Sequence, residues 1–246
     1  SNYPNIKSLN ISCLSTLPSG LGMGSSGSFA VAFTDLISRL ENAKKLSSYD
    51  LFINAYNAEK RISNEIGFQD HLHAAYGGFN LYEVRFNSES DFKYFRPEIR
   101  NRPIRLNSNS LKKINESFSL LYIPLYSIER RGSKLGSNIR KQVWSKNQLN
   151  EKYQILENLI DLIESQEVNL EKIGKIISRD FQKTKSINGF SEISKTLIDL
   201  QSRELIYGGR PIGSVGSKFA LIVTDIDKLK ILREKGYKII PFEMEI

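Results

Sequence analysis

The sequence predicts a protein of mixed helix and strand, α/β or α+β, in two domains, and three observations carry that expectation. Strand-like and helix-like runs follow one another along all 246 residues. A short apolar run at Ser119–Pro124 separates a first half with its own turns from a helix-rich second half. The chain then closes on a strand, a short helix and a strand. The β-α-β ending alone leaves α/β layering open. The length allows each half a core of its own.

The elements follow in order. Ile6, Leu9, Ile11 and Cys13, among Thr and Ser residues, read as a strand stopped by Pro18 and a run of glycines, with Cys13 a small core residue. Phe29, Ala32, Phe33, Leu36, Ile37 and Leu40 recur at helical spacing. Ser47-Ser48-Tyr49-Asp50 is an N-cap with an acid in the first turn. The apolar stripe Phe52, Ala55, Tyr56, Ile62 and Ile66 makes a second helix ending at Gly67. From Phe79 three strand-like runs follow, FNLYEVRF, DFKYF and RPIRL, and then SLLYIP as a buried strand near the domain boundary, placed at 115/116. Helices are expected near 134–145, 151–165, 169–184 and 191–206, with lone Trp144 packing on the first. A strand at Phe219–Thr224, a helix at 226–235 and a strand at Lys238–Phe242 complete the chain.

Composition excludes several classes. With 40% hydrophobic and 25% charged residues and no run of eighteen apolar positions, the chain is neither disordered nor membrane-spanning by composition. One Cys forms no internal disulfide, and the opening SNYPNIKSLN has no apolar signal region, so a cytoplasmic location is expected. The net charge of +8 invites a nucleic-acid partner, but the basic residues are scattered pairs alternating with acids. An anionic small molecule is the better expectation.

The strongest chemical signal is Pro18-Ser-Gly20-Leu21-Gly22-Met23-Gly24-Ser25-Ser26-Gly27-Ser28, between a predicted strand and a predicted helix. Glycines let backbone N–H groups approach an anion, and the helix start adds unpaired donors and a positive dipole end, so phosphate is the natural ligand. No Lys precedes the Ser pair, which excludes a Walker A loop. Gly22-Met-Gly24-Ser-Ser-Gly27 matches G-x-G-x-x-G, but a second helix follows where a dinucleotide fold needs a strand ending in an acid.

Glu59 lies on the apolar stripe of the second helix, and a carboxylate directed inward needs a metal, a buried cation or a structural salt bridge. Eight residues on begins Gly67-Phe-Gln-Asp70-His71-Leu-His73-Ala-Ala-Tyr-Gly77-Gly78, an acid opening a short helix closed by two glycines. Asp70 taken alone reads equally as a helix cap. His71 and His73 point apart on a helix and share no metal.

The Pro18–Gly27 segment resembles the second motif of the GHMP kinases, the galactokinase, homoserine kinase, mevalonate kinase and phosphomevalonate kinase superfamily. Met23 stands where Leu is usual and Gly27 where Ala or Ser is usual. The Gln69–Asn80 run is similar to the sugar-kinase branch, and to the D-glycero-D-manno-heptose kinases in particular, with His71 in place of Gln. The resemblance implies a two-domain fold, an N-terminal α/β domain over 1–115 and a ferredoxin-like α+β domain over 116–246. It implies ATP held by residues 18–28, Mg²⁺ held by Ser25 or Ser26 and by Glu59, and Asp70 as base toward a sugar hydroxyl. Asp70, His71, Gly77, Gly78 and Gly213 are the expected substrate contacts. The expected activity is transfer of the ATP γ-phosphate to a sugar or sugar phosphate of the heptose type, without nucleic-acid or membrane partners. Oligomeric state stays open, a homodimer included.

The resemblance departs at two places. Gly213-Ser-Val-Gly216-Ser-Lys218 keeps only two glycines of the family's third motif, and Lys218 reads either as a replacement cation or as an exposed lysine. The family's first motif has no counterpart in residues 1–17, as expected if the N-terminal domain lacks its first strands. A degenerate, non-catalytic nucleotide- or sugar-binding relative is therefore the competing expectation.

Overall fold

The computed structural model describes residues 10–14, 24–42, 45–63, 66–123, 145–185, 191–213 and 218–242. Residues 1–103 and 104–246 form separate units. In the first, helix α1 (Ser25–Asn42) follows the glycines, α2 (Ser48–Ile62) and α3 (Gln69–Tyr76) come next, and strand β1 (Asn80–Arg85), α4 (Glu89–Lys93) and β2 (Glu98–Pro103) complete it. Helix α2 begins where the sequence places it, because the Ser47 hydroxyl accepts from the Asp50 N–H at 3.1 Å. The stripe it buries is Phe52, Ala55 and Tyr56, whereas Ile62 is exposed and Ser63 caps the helix.

These rings meet Leu72 of α3 and Phe95, with Tyr56 and Phe95 only 4.0 Å apart between ring centroids. Phe95 reaches that place with φ 48°, a left-handed conformation that costs a side-chain-bearing residue about 1–3 kcal/mol. Burying its ring against Phe52, Tyr56, Phe68 and Phe86 offsets the cost. Strands β1 and β2 pair antiparallel from Asn80↔Pro103 to Arg85↔Glu98.

Four expectations change here. Residues 10–14 form no strand, and Cys13 is exposed instead of packed in a core. No described residue pairs with them in a ladder, so alternate side chains have nothing to bury against. The DFKYF run is helix α4 and its turn, not a strand: the Ser88 hydroxyl accepts from Asp91 N–H at 3.0 Å and starts a helix, leaving Phe92 and Tyr94 exposed. The apolar stripe of α1 forms, with Phe29 and Phe33 stacked at 5.8 Å, but Phe29, Phe33, Leu36 and Leu40 are exposed. The unit boundary falls earlier than 115/116, because helix α5 (Ser108–Ser117) runs directly into β3 (Phe118–Tyr122) and shares its core through Ile114 and Phe118.

The second unit continues with α6 (Lys146–Glu164), α7 (Leu170–Lys185), α8 (Ser191–Ser202), β4 (Gly208–Pro211), β5 (Phe219–Val223), α9 (Ile226–Glu234) and β6 (Lys238–Pro241). A reciprocal cap starts α6: Ser145 accepts from Gln148 N–H at 3.2 Å, and the Gln148 side chain accepts from Ser145 N–H at 2.8 Å. The sheet order is β4-β5-β3-β6 with every neighbouring pair antiparallel. Because β5 and β6 both run against β3, they lie parallel on either side of it, joined by α9, which is the split β-α-β of a ferredoxin-like sheet.

Period-2 alternation divides β5 between two cores. Ala220 and Ile222 pack with Leu121, Leu197, Leu200 and Leu232, while Val223 packs with Phe118, Ile163, Ile173 and Ile177. Each fully buried Leu or Ile side chain contributes about 1.5–3 kcal/mol. The helix expected near 134–145, with Trp144, lies outside the described residues. No described helix is long and apolar enough to cross a membrane.

Candidate active site

The site is built where α1, α2 and α3 converge. Gly24 has φ 71°, and the Ser28 N–H to Gly24 carbonyl bond at 2.9 Å opens α1. Helix geometry then leaves the N–H groups of Ser25, Ser26 and Gly27 without partners within the helix, a setting that favours an anion. Ser26 Oγ donates to Glu59 Oε1, across from the first turn of α1 to the buried face of α2. Both serines are exposed, and of the two it is Ser26 that meets Glu59. Pro18, Gly20, Leu21, Gly22 and Met23 lie outside the described residues.

The other Glu59 oxygen, Oε2, is 2.6 Å from His71 Nε2, with the His71 side chain 2% and the Glu59 side chain 16% exposed. The approach is close but off the axis of the ring N–H, so neither atom gains a well-aligned hydrogen bond. His71 was expected at the substrate; it is instead buried against Glu59. Helical spacing carries the reason, since His71 is three residues after Phe68 and four before Ala75, both of which pack on the aromatic core. That stripe was the signal sequence reasoning missed. His73 is exposed and meets the Tyr82 ring at 5.0 Å, so the two histidines do point apart.

Asp70 stands beside this pair in the first turn of α3. It is not the cap, a position held by Phe68 with no capping side chain, and it has no hydrogen-bond or ion-pair partner among the described residues. Its inner side faces α1 closely. A Cβ at Gly24 would lie 2.9 Å from Asp70 Cγ, and one at Gly27 would lie 2.8 Å from Asp70 Cβ and 3.0 Å from the His71 backbone N. Desolvation lifts the Asp70 carboxyl above the usual carboxylate range and the negative charge of Glu59 adds to the rise, while His71 and His73 pull the other way. Gly27, unusual against the resembled motif, thus has a steric cause in the close approach of α1 and α3. Gly27→Ala is expected to cost about 1–3 kcal/mol of stability through overpacking and to displace Asp70. Thermal melts check the first effect and turnover the second.

Gly77 ends α3 with φ 63°, and its N–H bonds to the His73 carbonyl at 2.9 Å; Gly78 follows with φ 67°. Both positions need glycine for backbone conformation, since a Cβ at Gly77 would meet nothing within 4 Å. Asn80 Nδ2 donates to the Gly77 carbonyl at 2.5 Å and pins the turn. Gly213 belongs to the second unit, where it is exposed with φ 79°, and Lys218 is exposed. Residues 214–217 lie outside the described residues.

Ser26 Oγ and Glu59 Oε1 are hard oxygen donors in mutual contact, which suits Mg²⁺, an ion usually held by one or two carboxylates together with water and substrate phosphates. No group of three or more His, Cys, Asp and Glu side chains able to hold a metal occurs among the described residues, so a site here draws its other ligands from substrate and water.

Residues 1–78 of the 246 match the family model described as the GHMP kinases N terminal domain. No curated protein sequence matches the chain. Among solved structures, mevalonate kinase of Methanococcus jannaschii is similar with TM-score 0.60 and 19% identity over 95% of this chain and 67% of that one. A D-glycero-D-manno-heptose 1-phosphate kinase from Bacteroides thetaiotaomicron has TM-score 0.53 and 17% identity over 94% and 65%. Lactococcus lactis galactokinase, complexed with galactose, has TM-score 0.55 and 13% identity over 92% and 67%. The chain spans 65% of the length of another mevalonate kinase, to which it is 19% identical with TM-score 0.57. At these identities the likeness is one of fold, and the chain has the α+β fold of the GHMP kinases.

Proposed function

We propose that the protein is an ATP-dependent small-molecule kinase, with a sugar or sugar phosphate of the heptose type as acceptor. The observation that carries the reading is the meeting of Ser26 and Glu59 beside Asp70, at the open end of a glycine-started helix. The acceptor class rests on the Gln69–Asn80 run, which resembles the heptose kinases. The likeness in fold to a heptose phosphate kinase and a galactokinase is in keeping with it.

Phosphoryl transfer asks little covalent chemistry of the protein; it asks for positioning and charge stabilisation. Asp70 accepts the proton of the acceptor hydroxyl, whose oxygen forms the new bond to the γ-phosphorus as the bond to the β–γ bridging oxygen breaks and ADP leaves. The raised pKa brings the base nearer the working pH, where proton transfer is more effective. Ser26 and Glu59 would hold Mg²⁺, which supplies neutralising charge to the nucleotide phosphates when bound. Amides at the start of α1 orient phosphate oxygens, and Gly77 and Gly78 let the acceptor approach bare backbone.

The test is ADP release in the presence of Mg²⁺ across a panel of aldoses, heptoses, their phosphates and a mevalonate-type hydroxy acid. Turnover with a sugar or sugar phosphate is expected. Turnover with the hydroxy acid alone replaces the acceptor class, and nucleotide binding without turnover on any acceptor favours a non-catalytic binding protein.

A further inference from the structure

We propose that His71 is a positioning residue for Glu59: it tethers Oε2 of the carboxylate so that Oε1 is presented together with Ser26 Oγ. The inference rests on the reading of Ser26 and Glu59 as ligands of a divalent cation, and it adds a residue to which that reading gives no task.

Burial supplies the first argument. An imidazole 2% exposed in an aromatic core must meet its polar requirement inside the protein, and Glu59 Oε2 is equally sealed from water. Neither atom has a hydrogen-bond partner among the described residues, and they lie 2.6 Å apart. Among the described residues each is the unpartnered polar atom that the other meets at 2.6 Å, and a small rotation of the ring or the carboxylate aligns the bond. In that bond the Nε2–H donates and Glu59 Oε2 accepts.

Geometry supplies the second. The His71 ring stands edge-on to Tyr56, at 5.5 Å and 86°, and Tyr56 is itself held by Phe52 and Phe95. The donor is thus packed on the aromatic core of the first unit. Glu59, by contrast, has rotatable bonds that burial alone does not fix. Tethering Oε2 selects one orientation, and in it Oε1 faces Ser26. Partners of this kind, behind a metal's direct ligands, typically change metal affinity by about 10–100-fold when removed. A merely space-filling histidine predicts no such change.

The experiment titrates Mn²⁺ into the full chain with ADP present, read by electron paramagnetic resonance, for wild type, His71→Met, His71→Asn, His71→Gln and Glu59→Gln, with a thermal melt of each. The Met and Asn side chains provide no donor in reach of Glu59, and having both guards against one of them failing to fold. Gln replaces the ring N–H with an amide N–H of similar reach. Folded Met or Asn variants are expected to bind Mn²⁺–ADP about 10–100-fold more weakly, with Gln recovering most of the loss. In the Glu59→Gln background His71→Met is expected to have no further effect on Mn²⁺ affinity. Wild-type affinity in the Met or Asn variant, beside a weakened Glu59→Gln, overturns the role of His71 alone. Equal affinity in wild type and Glu59→Gln overturns Glu59 as a ligand, and the His71 role with it.

Discussion

Asp70→Asn is expected to lower phosphoryl transfer by about 10²–10⁴-fold, the usual worth of a positioned general base, while Mg–nucleotide binding persists. The amide matches the carboxylate in shape and cannot take the proton. Stability is expected to move the other way. Because the folded-state pKa of Asp70 is raised, the folded protein holds this proton at pH values where the unfolded chain has released it. The stability associated with that proton is present below the ordinary carboxylate range and is lost as pH rises through the raised value. The variant, which never ionises there, should therefore match wild type in acid and gain on it toward neutral pH. Wild-type turnover should show the complementary limb, rising with pH through the same raised value. Parallel melts and initial rates between pH 4 and 8 read both. An acid limb that survives in the residual activity of Asp70→Asn belongs to another group.

Gly208→Ala is expected to give the largest loss of stability, at or above about 3 kcal/mol, the top of the ordinary range for overpacking. A Cβ there would sit 1.9 Å from the Gly174 carbonyl oxygen, and one at Gly174 would sit 2.5 Å from the Tyr207 carbonyl carbon. Helix α7 and strand β4 touch backbone to backbone, so no side chain can swing away to make room. Ser178 Oγ also accepts from Gly209 N–H at 3.0 Å, and a shift of the helix breaks that buried bond as well. Gly236 is the control. Its φ of 84° strains any replacement, but a Cβ there meets nothing within 4 Å, so Gly236→Ala should cost only about 1–2 kcal/mol. Urea unfolding of the two variants followed by circular dichroism measures the difference.

The second unit was legible because its signals are local and strong. FALIV reads as a strand buried on both faces, whereas the reciprocal cap of Ser145 and Gln148 starts at Lys146 a helix expected from 151. In the first unit the Ser47 cap was clear, but DFKYF alternates apolar and polar residues like a strand. What overrides the alternation is the Ser88 cap together with the left-handed turn at Phe95. At the site, Glu59 was legible from its place on an apolar stripe, and Asp70 from the resemblance of its surroundings. The partner of Glu59 was not. Which of two adjacent serines faces a carboxylate 33 residues on, and that His71 abuts its other oxygen, depends on how three helices cross. The same holds for Gly27, whose small size matters only because Asp70 lies against it.

The most direct measurement is transfer of label from γ-labelled ATP to the acceptor that turns over in the panel, with wild type and Asp70→Asn side by side and Mg²⁺ present. One labelled phosphoryl group per acceptor molecule, formed by wild type and reduced by two or more orders of magnitude in Asp70→Asn, is the expected result. Label that appears only as inorganic phosphate, or that reaches the acceptor equally fast in both proteins, contradicts a kinase in which Asp70 is the base.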